Sequence, residues 1–125
     1  DNPKSWTINK RISLGGRMSI VNFHINLLMI INVQKYISHT YNIPVDLLKG
    51  KMSIKDKKQY NLYNLSIILS WLLHPTKAYG CKSLIARHHC CNKNRVYRLY
   101  KLYNSNDNFK SFVDNAKHNY IDKYA

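Results

Sequence analysis

Acidic residues are scarce in this sequence, and glutamate is absent. Six aspartates stand against 20 lysines and arginines, which gives the 125-residue chain a formal charge of +14. The aspartates are scattered singly, so the sequence places no pair of carboxylates for acid–base catalysis. A positive excess of this size repels itself and is usually retained because the partner is a polyanion. We therefore predict a protein that is not an enzyme. Nucleic acid is the first candidate partner, before an anionic membrane surface and an acidic protein.

Cysteines and long hydrophobic runs are also few. The three cysteines are an odd number and Cys90 and Cys91 are adjacent, which argues against a secreted disulfide scaffold. The most apolar run, Ile20 to Ile31, is interrupted by polar residues and is shorter than the roughly 20 residues of a membrane span. It also lacks the cleavage site of a signal peptide. We predict a protein of a reducing compartment, cytoplasmic or nucleoid-associated, with no membrane partner.

The segment RHHCC, Arg87 to Cys91, raises the question of metal or nucleophile chemistry. Zinc needs ligands that converge tetrahedrally, whereas adjacent side chains diverge. A zinc site would need a more distant set: Cys81, His88 and Cys90, with His74 or His118. A nucleophilic cysteine in this segment has no positioned acid or oxyanion donor beside it. A phosphate-binding loop ending at Ser83 is excluded because position 75 is proline. We predict buried cysteines and solvated histidines, without a metal or cofactor.

Glycine and proline number only four and three, and they separate segments with helical spacing of apolar residues. Residues 19–41 predict either one long helix or two helices that meet near Asn32. Pro44 would begin a short helix that includes Leu47 and Leu48. Residues 49–58 read as a basic loop, and residues 59–73 as the central core helix.

Three further helical segments follow. The first contains Leu84 and Ile85, the second begins after a polar break around Cys91 and Asn92, and the last follows a break at 104–106, where Ser105 or Asn106 could cap it. The last helix carries an apolar side made of Phe109, Phe112, Val113, Ala116 and Tyr120. We predict one all-α bundle over residues 19–125. A basic arm at residues 1–18 would precede it, either disordered or lying along a phosphate backbone or in a minor groove.

The segment Lys82 to Tyr103 has the strongest functional pattern. Its second half places apolar residues on one helical face and cationic and amide residues on the others. Arginine and asparagine can make bidentate contacts to base edges, and lysine neutralises phosphate. The alternative is an ordinary surface helix of a basic protein.

The order of segments resembles a known family. The order is NVQKYISHTYNI, PVDLLKGK, a basic loop ending in KKQ, a long apolar helix, SLIA, a polar turn and a basic helix. It is similar to the C-terminal DNA-binding domain of the bacterial replication initiator DnaA, which belongs with the Trp-repressor-like helix-turn-helix proteins. The resemblance covers about residues 31–120. It implies that the loop lysines hold phosphate and that the helix starting near Asn92 enters the major groove.

The chain departs from that family where the family reads bases. Family members usually have Arg-Asp-His-Thr-Thr or a close variant at the start of the helix, whereas this chain has Asn-Lys-Asn-Arg-Val at 92–96. Base specificity is therefore not implied by the resemblance. Initiator activity is not implied either, because the ATPase domain is missing.

These patterns predict a helix-turn-helix protein that binds double-stranded DNA. The predicted contact residues are Lys49, Lys51, Lys55, Lys57, Lys58, Asn92, Lys93, Asn94, Arg95, Tyr97, Arg98 and Lys101. Tyr97 lies off the apolar face and could instead stack on an unpaired base. Two alternatives stay open: an RNA-binding or ribosome-associated protein, and a small inhibitor or adaptor that binds an acidic protein.

Overall fold

The computed structural model describes residues 20–74 and 80–124. In these ranges the helices are α1 (Ile20–Tyr41), α2 (Val45–Leu48), α3 (Lys57–Leu72), α4 (Cys81–His88), α5 (Lys93–Ser105) and α6 (Asp107–Tyr124). Neither range contains a strand, so the predicted all-α class and small helical bundle are confirmed. The predicted basic arm at 1–18 and positions 76–79 of the predicted turn lie outside the described residues.

Helix α3 is the centre of the bundle, as the sequence predicts. Every residue from Leu62 to Trp71 is buried. A helix buried on all sides needs neighbours all round, and α3 packs against each of the other five helices of the described chain. The predicted core helix is confirmed.

The start of α3 differs from the prediction. The helix begins at Lys57 and not at Gln59, so Lys57 and Lys58 belong to its first turn and not to the loop. The helix begins there because Asp56 is its N-cap. Asp56 Oδ1 accepts a hydrogen bond from the Gln59 N–H at 2.8 Å, and Gln59 Oε1 accepts one from the Lys55 N–H at 2.8 Å, as in a capping box. The loop proper ends at Asp56.

Helix α1 is one continuous helix, and Asn32 does not interrupt it. Ile30, Val33 and Ile37 are buried in the core, whereas Leu28, nearer the N-terminus of the helix, is 59% exposed. Pro44 precedes α2 as predicted. None of the helices in residues 20–74 and 80–124 has the length and apolar character required to cross a bilayer.

Helices α5 and α6 are joined by hydrogen bonds and an ion pair between their side chains. The Tyr103 hydroxyl donates to Asp114, and the Lys110 ammonium bonds the same hydroxyl at 3.1 Å and lies 3.5 Å from the Asp114 carboxylate. Asn106 caps α6 by accepting the Phe109 N–H at 2.9 Å, which confirms one of the two predicted caps. Phe112, predicted on the apolar side of α6, is 37% exposed.

Candidate nucleic-acid interface

Helices α4 and α5 form a consecutive pair joined by a turn at residues 89–92, where the sequence predicts a break. Leu84 and Ile85 bury one side of α4, and Val96 buries one side of α5. Within the turn, Cys90 has a left-handed backbone conformation with a φ of 53°. Asn92 then begins α5, because its Oδ1 accepts the Asn94 N–H at 2.8 Å.

The turn is held by side chains from α1 and α3. Gln34 Nε2 donates to the His88 carbonyl at 2.8 Å, and the Tyr63 hydroxyl donates to the His89 carbonyl at 2.5 Å. Two consecutive carbonyls at the end of α4 thus have partners in other helices, which satisfies groups that a helix end otherwise leaves open. The orientation of the α4–α5 pair is therefore fixed by the scaffold.

His89 is a structural residue of this turn and not the solvated histidine that the sequence predicts. Its side chain is fully buried, with Nδ1 2.8 Å from the Ile85 carbonyl and Nε2 2.7 Å from Ser66 Oγ. A carbonyl can only accept, so Nδ1 carries the proton and Nε2 accepts from the Ser66 hydroxyl. Burial lowers the pKa of His89 to about 4, so the ring is neutral at neutral pH.

The loop that joins α2 to α3, residues 49–56, is called the lysine loop. It begins in direct contact with the turn. Gly50 has a φ of 74°, and a Cβ added there would lie 2.5 Å from the His89 carbonyl oxygen and 2.7 Å from Cys90 Cβ. Only glycine fits this approach without displacing the backbone. Burial is the main cause that lowers the pKa of His88, and the charges of Arg87 and of Lys49, the residue before Gly50, lower it further. The loop therefore starts against the end of α4.

Helix α3, which follows the lysine loop, meets α5 through Arg95. Arg95 Nη1 donates to Asn64 Oδ1 at 3.0 Å and to the Tyr60 hydroxyl at 3.4 Å. The guanidinium also lies 5.7 Å from the ring centroid of Tyr60 and 5.6 Å from that of Tyr63. The hydrogen bond from Arg95 is the main reason that the pKa of Tyr60 is lowered. Arg95 thus ties the first turn of α5 to α3.

The predicted contact residues differ in their exposure to solvent. Lys51, Lys55, Lys57 and Lys58 are exposed, and Lys49 is half-buried. The exposed contact residues of α5 and its cap are Asn92, Lys93, Asn94, Tyr97, Arg98 and Lys101. Arg95 differs from them, because it is half-buried and directed toward α3.

Tyr97 is the most exposed aromatic side chain of α5, at 63%. The Lys82 ammonium lies 4.9 Å from its ring centroid and 4.4 Å from that of Trp71, so this lysine bridges α4, α3 and α5. Such contacts attract the cation to the ring face. Lys82 therefore occupies one side of Tyr97 and adds positive charge beside the outer face of α5.

The sequence did not indicate the residues that hold this arrangement. Gln34, Asn64 and Ser66 are polar side chains buried within helices that the apolar spacing identifies as core. No local pattern distinguishes a buried polar side chain with a distant partner from a polar residue on the surface. In contrast, Asp56 and Gln59 form a capping pattern that could have located the start of α3.

The cysteines and histidines of this region are dispersed. In the described part of the chain, no three His, Cys, Asp or Glu side chains form a group that could hold a metal ion. Cys81 is buried, as predicted, whereas Cys90 is exposed. Cys91 is half-buried, and burial raises the pKa of its thiol, so the thiol is the form present at neutral pH.

No known protein-family model matches the chain, and no match was found among curated proteins or among solved structures. The resemblance to the DNA-binding domain of DnaA thus stays a prediction from the order of segments.

Proposed function

We propose that the protein binds double-stranded DNA, with α4, its turn and α5 acting as a helix-turn-helix and the lysine loop holding phosphate. One observation carries this proposal: the lysine loop and the helix that follows it both contact the α4–α5 pair. Gly50 at the start of the loop contacts the turn before α5, and Tyr60 and Asn64 of α3 bind Arg95 in the first turn of α5. These contacts support a single surface made of the loop cations and the outer face of α5. A duplex would meet both at once.

Helix dipoles add a second argument. The first turn of α5 carries Lys93 and no acidic residue, and its N-cap Asn92 is neutral. The first turn of α3 carries Lys57 and Lys58, but its N-cap Asp56 already supplies one negative charge. Lysine at a helix N-terminus is unfavourable, because the end of the helix already carries partial positive charge. An anion placed at the start of α5 relieves the charge of the lysine and can bond N–H groups that the Asn92 cap leaves open. Phosphate groups of a nucleic acid supply that anion.

Residue roles follow from the geometry. Asn94, Arg98 and Lys101 are exposed on the outer face of α5 and are proposed to enter the major groove. Arg95 is proposed to position the helix, since its guanidinium is already bound to α3. Lysine loop residues neutralise phosphate and carry no sequence information. The segment-order resemblance to the DnaA domain agrees with this division.

Selection of bound sequences from a random pool of DNA duplexes tests the proposal. An enriched motif is expected, and failure to retain duplexes at physiological salt would contradict the proposal. With the selected site in hand, Arg98→Ala should weaken that site more than random DNA, whereas Lys55→Ala should weaken both alike. Competition by single strands and by structured RNA in the same assay tests the RNA alternative, which the exposed Tyr97 favours.

A further inference from the structure

A groove of about 650 Å³ lies between α3, α5 and α6, beside the proposed duplex surface. Its volume is in the range of small-ligand sites, roughly 300 to 1,000 Å³. The apolar part of its lining is formed by Leu99, Leu102, Phe109 and Phe112. Leu102 is 39% exposed and Phe112 is 37% exposed, so this apolar lining is accessible to a ligand.

Four carboxamides also line the groove, those of Asn61, Asn64, Asn106 and Asn108. The carboxamide oxygens of two of them are already engaged, that of Asn64 with Arg95 and that of Asn106 with the Phe109 N–H. Asn61 and Asn108 are exposed. A carboxamide presents a donor and an acceptor side by side, which is the pattern that pairs with the edge of a nucleobase.

The charged side chain that lines the groove is Lys57, in the first turn of α3, and Arg95 lies behind Tyr60 and Asn64. Among the described residues no aspartate lines the groove, although Asp107 lies between the lining residues Asn106 and Asn108. Tyr60 lines the groove as well and is 44% exposed. The groove thus offers aromatic and apolar surface for the face of a base, amides for its edge and a lysine for its phosphate.

We propose that this groove holds an unpaired nucleotide. The inference rests on the proposed function in one respect, because Lys57 and Tyr60 connect the groove to the surface assigned to the duplex. The nucleotide comes either from a base displaced from a bound duplex or from a single strand. The positive charge of Lys57 and of the neighbouring loop lysines favours a ligand that carries a phosphate, and therefore a nucleotide over an uncharged apolar peptide.

The main experiment compares two fluorescein-labelled duplexes of the same sequence, one fully paired and one with a single unpaired adenosine at its centre. The wild-type protein should bind the bulged duplex roughly tenfold more tightly, the order expected for one base stacked on aromatic side chains. Leu102→Trp fills the groove and should remove this preference while leaving the affinity for the paired duplex unchanged. Lys101 is adjacent to Leu102 in the sequence but lies on the outer face of α5. Lys101→Ala should therefore lower the affinity for both duplexes alike and keep the ratio of the two affinities unchanged.

A second measurement follows the side-chain amide resonances of Asn61 and Asn108 by NMR. They should shift when a single-stranded pentamer of deoxyadenosine or the bulged duplex is added, and the shifts should be lost in Leu102→Trp. Shifts with the pentamer identify a single strand as a sufficient source, and shifts with the bulged duplex alone identify a displaced base.

Equal binding of the two duplexes together with unmoved amides would overturn the inference. Amide shifts produced only by an amphipathic peptide rich in leucine and aspartate would also overturn it, by assigning the groove to a protein partner. If neither duplex binds, the proposed function fails, but the pentamer titration still decides whether the groove takes a nucleotide.

Discussion

At the level of single side chains, two residues near the turn owe their roles to partners distant in sequence. His89 is neutral because it is buried between the Ile85 carbonyl and Ser66. Arg95 is half-buried because its guanidinium donates a hydrogen bond to the Asn64 carboxamide oxygen. The sequence identifies both as polar residues of a basic segment, and in isolation both suggest contact with solvent or a ligand. Their structural roles depend on Ser66 and Asn64 of α3, which lie 23 and 31 positions earlier in the chain.

His89 makes the stability of the fold dependent on pH. Its pKa is lowered from an ordinary 6.5 to about 4, so the unfolded chain binds more protons than the folded chain between these values. The stabilisation is complete above pH 6.5 and is lost as pH falls toward 4. Between pH 7 and pH 5 the free energy of unfolding should fall by about 2 kcal/mol on this account.

Urea denaturation at the two pH values measures this change, with His89→Gln as the comparison. The variant should be less stable at pH 7 and should show a flatter pH dependence, because the titrating group is gone. Ring resonances of His89 in the wild-type protein provide a measurement that does not require the variant to fold. A ring that is protonated at pH 5, or an equal pH dependence in both proteins, would contradict the assignment.

At the level of helices and loops, the lysine loop is defined by its two boundaries. Asp56 ends it by capping α3, and Gly50 begins it by allowing the chain to touch the turn before α5. The charge of the loop is a property of composition. Its position beside α5 depends on these two residues, of which the sequence indicates the first through a capping pattern and the second only as a flexible glycine.

Substitutions at Asp56 separate the effect of the helix cap from the effect of the charge of the loop. Asp56→Asn retains the cap, since asparagine and aspartate are equivalent there, and it removes the only acidic residue of the loop. We expect unchanged stability and tighter binding of duplex DNA at low salt. Asp56→Ala also removes the charge, but it should cost about 1 kcal/mol of stability through loss of the cap. Thermal melting and DNA titration of the two variants measure both effects. Unchanged DNA affinity in Asp56→Asn would place the loop away from phosphate.

Gly50→Ala tests the contact between the loop and the turn. The added methyl group would lie 2.5 Å from the His89 carbonyl oxygen, on a backbone with a φ of 74°. We expect a loss of about 2 kcal/mol or more in the free energy of unfolding, together with weaker duplex binding. Asn42→Ala is the matched variant, because Asn42 has a φ of 55° and is exposed. It should cost about 1 kcal/mol. Equal losses in the two variants would show that the contact contributes nothing.

At the level of the whole molecule, a net charge of +14 is tolerated because most lysines and arginines of the described residues have exposed side chains, where water screens their charge. The proposed interface gathers cations from the lysine loop, the first turn of α3 and the outer face of α5. A duplex bound there would release counterions in proportion to the phosphates contacted. Salt dependence therefore measures how much of the charge is engaged.

The logarithm of duplex affinity should fall with the logarithm of salt concentration with a slope of about −5 to −7, if roughly six to eight phosphates are neutralised. Lys55→Ala should make the slope shallower by about one. Lys123→Ala, near the end of α6 and outside the proposed interface, should leave it unchanged. Fluorescence anisotropy over a series of salt concentrations gives the slopes, and equal effects of the two variants would indicate diffuse attraction without a defined surface.

The sequence by itself determined the helical class, the central helix α3, the break before α5 and the positive charge, because apolar spacing, proline and composition are local properties of the chain. Only the tertiary structure decided that Gly50 meets His89, that Arg95 is bound to α3, and that α3, α5 and α6 enclose a groove. Each of these depends on contacts between segments far apart in the chain, and no local pattern records which distant partner a buried polar side chain or a glycine will meet.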